Sequence, residues 1–122
     1  MKTGFIGAGK VGFSLGRLFA ENGIPLTGYY SRQRESAEEA ANFTGTHAYS
    51  DLCELVQDSD AIFLTVPDRT ITSVYLELRS FSLSGKQICH CSGALSAREA
   101  FPGLAETGAL GLSDYKFEAT FK

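Results

Sequence analysis

Histidine occurs only twice and cysteine only three times in this chain of 122 residues, and no run of about eighteen apolar residues is found. Each scarcity excludes a chemistry. Without such a run, no membrane-spanning helix is expected. An odd number of cysteines argues against a disulfide framework. The one thiol and imidazole cluster, Cys89-His90-Cys91, falls in a predicted strand, whose alternating side chains put the two cysteines on one face and His90 on the other. No second ligand cluster accompanies it, so zinc is not expected. His47 lies in a short predicted strand far from the expected reacting end and His90 inside a buried one, so no Ser-His-Asp arrangement can be assembled. His90 reads as a core histidine rather than a proton donor. A net charge of −3 gives no electrostatic reason to expect nucleic acid. Met1-Lys2-Thr3-Gly4 runs directly into an apolar segment, so no targeting segment and a cytoplasmic location are expected.

What the sequence does contain begins at residue 5. Phe5-Ile6-Gly7-Ala8-Gly9-Lys10-Val11-Gly12 is a Gly-x-Gly-x-x-Gly loop. Thr3 to Ile6 before it reads as a short apolar strand, and Val11, Leu15, Leu18 and Phe19 after it recur at helical spacing until Gly23 and Pro25 stop the helix. A loop of this kind between a strand and a helix suits a dinucleotide. Gly7 permits the tight turn, Gly9 has no side chain to hold a pyrophosphate off the backbone, and Gly12 lets the helix pack close to the strand. The free N–H groups of the first helical turn then face the phosphates, which brings Ala8, Lys10 and Val11 into the site with the glycines. Gly4, Gly9 and Lys10 also satisfy most of a Walker A loop. Val11 stands where that motif needs a hydroxyl for magnesium, however, and Gly4 lies inside the strand.

The end of the second predicted strand, Leu26 to Tyr30, lacks an acid. An Asp or Glu about twenty residues beyond the last loop glycine would accept hydrogen bonds from a free ribose 2′-hydroxyl and repel a 2′-phosphate. Here the chain reads Ser31-Arg32-Gln33-Arg34. A hydroxyl and guanidinium groups favour the phosphate, so NADP is expected over NAD, with Ser31 and Arg32 on the phosphate or adenine and Arg34 as a second cation. The missing acid also counts against a methyltransferase that uses S-adenosylmethionine.

Strands and helices alternate along the rest of the chain. Ser36-Ala37-Glu38-Glu39 reads as a capping box opening a helix that ends between Asn42 and Gly45, and a third strand is expected over Thr46 to Tyr49. Ser50 or Asp51 starts a helix carrying Leu52, Leu55 and Val56. Ala61 to Val66 lacks polar alternation, as a strand buried on both faces of a parallel sheet should. Pro67 ends it, Asp68 or Thr70 caps the next helix, and Ile71, Val74, Tyr75 and Leu78 form that helix's apolar stripe. Gln87 to Cys91 makes a fifth strand, Ser96-Ala97-Arg98-Glu99 a second capping box, and Gly108 to Leu112 a sixth strand. This is the pattern of an α/β fold, a three-layer doubly wound parallel sheet of the Rossmann kind, in strand order 3-2-1-4-5-6. Ligands on such sheets lie across the carboxyl ends of the strands at the switch between the first and fourth. Val66, Pro67 and Asp68 should therefore border the middle of the cofactor, and Ser92 and Gly93 the nicotinamide. Asp68 reads more readily as a plain helix cap than as a catalytic group, and Ser92-Gly93 also fits a plain turn.

Taken together, the glycine loop, Tyr30-Ser31-Arg32, Val66-Pro67-Asp68 and His90-Cys91-Ser92-Gly93-Ala94-Leu95-Ser96 resemble the N-terminal domain of a predicted NADP oxidoreductase family, over residues 3 to 112. That family is related to pyrroline-5-carboxylate reductases and deazaflavin-dependent NADP oxidoreductases. The resemblance implies that Gly7, Gly9, Gly12, Ser31 and Arg32 contact the cofactor and that Val66 and Pro67 run along its middle. It further implies hydride transfer to or from a small carbonyl or imine substrate, with a C-terminal helical domain supplying much of the substrate pocket and a homodimer contact. This chain departs from the pattern after Leu112, where Ser113-Asp114-Tyr115-Lys116 replaces a His-Pro segment. Residues 1–112 are thus expected to form the dinucleotide-binding domain, and 113–122 a tail or the start of a connection. Ser92 is the candidate group near the reacting centre. An open sheet leaves a nicotinamide in water, so the isolated chain is expected to be inactive. The alternative is a module that binds or senses NADP(H) without catalysis.

Overall fold

A computed structural model describes residues 2–91 and 97–112. Its elements run β1 (Thr3–Ile6), α1 (Lys10–Glu21), β2 (Leu26–Tyr30), α2 (Arg34–Thr44), β3 (His47–Ala48), α3 (Leu52–Asp58), β4 (Ala61–Leu64), α4 (Asp68–Leu78), β5 (Gln87–His90), α5 (Ala97–Ala100) and β6 (Leu110–Leu112), with a 3-10 turn at Leu104–Thr107. The strands form one sheet in the order β3-β2-β1-β4-β5-β6, every neighbouring pair parallel. Order and direction are those the sequence predicts.

Both faces of the sheet are covered, and the strand sequences show why. Successive side chains of a strand point to opposite faces. Phe5, Tyr29, Phe63 and Cys89 are aligned across β2, β1, β4 and β5, and they pack with Phe19 of α1 and Ala37, Ala40 and Ala41 of α2. Phe5 lies 5.1 Å from Tyr29 and 5.6 Å from Phe63, ring centre to ring centre. The intervening residues Ile6, Ile62, Leu64 and Ile88 face the other way, onto Leu55 and Val56 of α3, Ile71, Val74, Tyr75 and Leu78 of α4, and Ala100 and Phe101. A strand that feeds two cores has no polar side, which is why Ala61–Leu64 reads as an unbroken apolar run. Each of these large apolar side chains contributes about 1.5–3 kcal/mol on full burial.

Several local expectations are corrected. α2 begins at Arg34, so Ser36 lies inside it and is not its cap. Ser31 Oγ accepts from the N–H of Gln33 at 3.1 Å, and this turn leads the chain into the helix earlier than the supposed capping box does. Asp68 is the first residue of α4; Pro67 holds the cap position, with φ −54° and ψ 144°. Thr70 is no cap either, since its Oγ donates back to the carbonyl of Pro67 at 2.8 Å. Asp51, by contrast, does cap α3, accepting from the N–H of Cys53 at 2.9 Å. β4 stops at Leu64, two residues before the predicted end, although the N–H of Thr65 still donates to Ile6 at 2.9 Å. The proposed capping box at Ser96 lies outside the described residues.

Candidate cofactor site

The glycine loop joins β1 to α1 at the carboxyl edge of the sheet, at the switch point between β1 and β4. Gly7 has φ +102°, and a Cβ there would strike the carbonyl oxygen of Thr65. The N–H of Gly7 donates to Tyr30 at 2.8 Å, which joins the loop to the end of β2. A Cβ on Gly12 would meet the Gly7 carbonyl and lie 2.6 Å from Thr65 Oγ. Fold geometry therefore explains Gly7 and Gly12. It does not explain Gly9, whose φ of −76° suits any residue and whose Cβ would meet no protein atom within 4 Å.

Gly9 is the cap residue of α1 and has no side chain to cap this helix end. No acid stands in the first turn. The first turn of a helix carries unpartnered N–H groups and a partial positive charge, so this end is open to an anion approaching over Gly9.

A cleft of about 400 Å³ opens beside the loop. One wall is Gly7, Ala8 and Gly9; the facing sides are Ser31 and Arg32 after β2, and Val66 and Pro67 after β4. A smaller, adjoining cleft of about 330 Å³ continues past Gly9, Lys10 and Val11 to Val66, Pro67, Asp68 and Cys91. The first lies toward the end of β2, the second toward the end of β5. Of the sequence-predicted residues, Gly7, Ala8, Gly9, Lys10, Val11, Ser31, Arg32, Val66, Pro67 and Asp68 thus line one or the other. Gly12 is buried behind them. Arg34 lines neither; its Nε bonds Glu38 at 2.9 Å along α2. Ser92 and Gly93 lie outside the described residues.

Thr65 and Glu77 are among the lining residues that the sequence does not point to. Thr65 Oγ lies 2.7 Å from the Gly7 carbonyl oxygen and 3.2 Å from that of Ile6, fixing the loop from the β4 side. Glu77 of α4 lines the first cleft and pairs with Arg32, Nη2 to Oε1, at 3.1 Å. Neither residue belongs to a motif, so only the fold could bring them in.

The thiols and imidazoles take the faces the strand rule assigns. Cys89 and Cys91 join the aromatic core with α1 and α2, whereas His90 packs edge-on against Phe101 at 5.3 Å on the opposite face. Burial pushes the Cys89 thiol up to about 12, with Cys91 nearby adding to the effect. Among the described residues, no group of three or more His, Cys, Asp or Glu side chains is placed to hold a metal ion, and no helix is long and apolar enough to cross a membrane.

A parallel sheet in this order, with a glycine loop and an open helix end at its switch point, defines a Rossmann-like domain of the dinucleotide-binding class. Within that class the chain belongs to the family described as NADP oxidoreductase, coenzyme F420-dependent, whose model matches residues 2–92. It is therefore a member of a family of NAD(P)-dependent oxidoreductases. Among solved structures, it is similar to a variant of an imine reductase from Myxococcus stipitatus in complex with NAD+, at 25% identity and a TM-score of 0.74, over 92% of this chain and 38% of that one. The imine reductase from the same organism in complex with NADP+ matches at 24% identity and a TM-score of 0.75, over 93% of this chain and 40% of that one. The UDP-N-acetylglucosamine 3-dehydrogenase of Acidithiobacillus ferrooxidans matches at 24% identity and a TM-score of 0.75, over 99% of this chain and 42% of that one. The chain thus spans about two-fifths of the length of these enzymes. No curated protein matches the sequence.

Proposed function

We infer that this chain is the cofactor-binding domain of an NADP-dependent oxidoreductase that moves hydride between the cofactor and a small carbonyl or imine substrate. The observation that carries the reading is Gly9. Nothing in the fold requires glycine there, yet a side chain at that position would project into the space over the α1 terminus where a pyrophosphate would lie. The residues present fit such a group. The loop N–H groups and the α1 terminus suit the phosphates, the Val66-Pro67 wall suits the flat, apolar parts of a dinucleotide, and Ser31 and Arg32 suit a 2′-phosphate. Kinship with the family and with reductases bound to NAD+ and NADP+ supports the same conclusion.

When bound, the nicotinamide supplies the hydride chemistry. This chain's residues bind and orient it. The second cleft, between Val11 and Pro67 and reaching Cys91, is where the ring would rest against the ends of β4 and β5. The enzymes this chain resembles are more than twice as long. The rest of the substrate enclosure, and a dimer contact, are assigned in this reading to a further domain. The isolated chain should bind cofactor without turning over substrate.

Gly9→Ala tests the reading directly. Alanine is a poorer helix cap than glycine, but it also lowers the entropy of the unfolded chain, and the two effects offset each other, so stability should change by less than about 1 kcal/mol. NADPH affinity should nonetheless fall by tenfold or more. A variant that binds NADPH as well as the unaltered chain does would refute the assignment.

A further inference from the structure

Arg32, just past β2, and Glu77, in the last turn of α4, are 45 residues apart in the chain and meet over the first cleft, which both of them line. Their side chains are 73% and 53% exposed, so the pair contributes little to stability. Nor does Glu77 favour its own helix, since an acid in the last turn opposes the helix dipole. Two other exposed pairs, Arg17–Glu21 and Arg34–Glu38, are ordinary i,i+4 contacts along one helix, and a third, Arg79–Glu106 at 4.0 Å, lines neither cleft. The Arg32–Glu77 pair is different: both of its residues line the cleft, at the opening through which an adenosine would enter.

We propose that Glu77 is a specificity-determining residue, a counter-anion that occupies Arg32 until a 2′-phosphate displaces it. The inference rests on the dinucleotide reading and adds to it the residue that sets the strength of phosphate discrimination. A ribose 2′-hydroxyl is neutral and has no need of the guanidinium charge, so a nucleotide without the extra phosphate leaves the pair intact. A 2′-phosphate carries close to two negative charges and competes for the same donors. Part of its attraction to Arg32 is then spent in breaking the ion pair, and the displaced carboxylate stays within a few ångströms as a like charge. Glu77 therefore lowers affinity for the phosphorylated cofactor and leaves the other nearly unaffected.

The test is calorimetric titration of the full chain with 2′,5′-ADP and 5′-AMP, comparing the unaltered protein with Glu77→Gln, Arg32→Gln and the double variant. Glutamine keeps the size and hydrogen-bonding reach of Glu77, and the site is exposed, so folding is not at issue. In Glu77→Gln, 2′,5′-ADP should bind three- to tenfold more tightly at low salt and 5′-AMP should change less than twofold. The gain should shrink as salt screens the charges, and most of it should vanish when Arg32 is glutamine. Equal tightening of both nucleotides, or no change in either, would overturn the role of Glu77 while leaving the binding site standing. Failure of both nucleotides to bind the unaltered chain would instead overturn the dinucleotide reading, and this inference with it.

Discussion

Thr65 Oγ donates to the carbonyl of Gly7 at 2.7 Å, and the N–H of the same threonine donates to Ile6 at 2.9 Å. A residue just beyond β4 thus holds the loop that follows β1, and it does so where the two strands border the cleft. Thr65→Val keeps the shape but removes the hydroxyl and leaves a partly buried carbonyl without its donor. Stability should fall by about 1–2 kcal/mol in urea denaturation, and Thr65→Ser should recover most of it. NADPH affinity should fall as well, because the loop backbone is then less firmly placed.

Gly12→Ala should behave unlike Gly9→Ala. The added methyl would meet the Gly7 carbonyl and Thr65 Oγ, neither of which can withdraw without moving the loop. Overpacking of this kind costs about 1–3 kcal/mol. A lowered melting temperature together with weaker NADPH binding is expected. The two glycines can therefore be separated experimentally into one that the fold needs and one that the ligand needs.

That separation marks how far the sequence could be read. The loop and the stripe Ile71, Val74, Tyr75 and Leu78 were legible because each rests on local spacing, and the strand order because alternating strands and helices with right-handed crossovers leave few arrangements. The starts of α2 and α4 were misread. Ser36-Ala37-Glu38-Glu39 has the composition of a capping box, but the turn made by Ser31 and Gln33 begins the helix first, and Pro67 takes the cap position ahead of Asp68. Ser31 and Arg32, which line the first cleft, can be picked out by their distance from the glycines. Thr65 and Glu77 cannot, because their partners lie 58 and 45 residues away and no short pattern encodes such a meeting.

Tyr29 connects stability to pH. Its hydroxyl donates to the Gly12 carbonyl at 2.8 Å, and burial pushes its pKa from 10.0 up to about 12. Burial likewise raises Cys89 from 9.0 to about 12. Both groups keep their protons in the folded chain at a pH where the unfolded chain has released them. Their contribution to stability is complete below pH 9, and it declines as pH rises through the interval up to about 12. Tyr29→Phe should cost about 1 kcal/mol at pH 7 through the lost hydrogen bond, and its stability should decline less steeply above pH 10. Denaturant midpoints measured across the alkaline range check both statements.

Arg32→Asp reverses the charge at the end of β2. Affinity for NADPH should fall by about 1–3 kcal/mol, the value of a charge-assisted contact, with little loss for NADH. Parallel titrations of the variant and the unaltered chain provide the comparison. Unchanged affinity for both cofactors would remove Arg32 from the site.

The central claim is that the cleft between the glycine loop, Ser31-Arg32 and Val66-Pro67 receives a phosphorylated nicotinamide dinucleotide. Calorimetric titration of the purified chain with NADPH and with NADH, side by side in one buffer, tests it most directly. The account predicts saturable binding of NADPH at one site per chain, tighter than that of NADH. Binding of neither dinucleotide, or a preference for NADH, would contradict it.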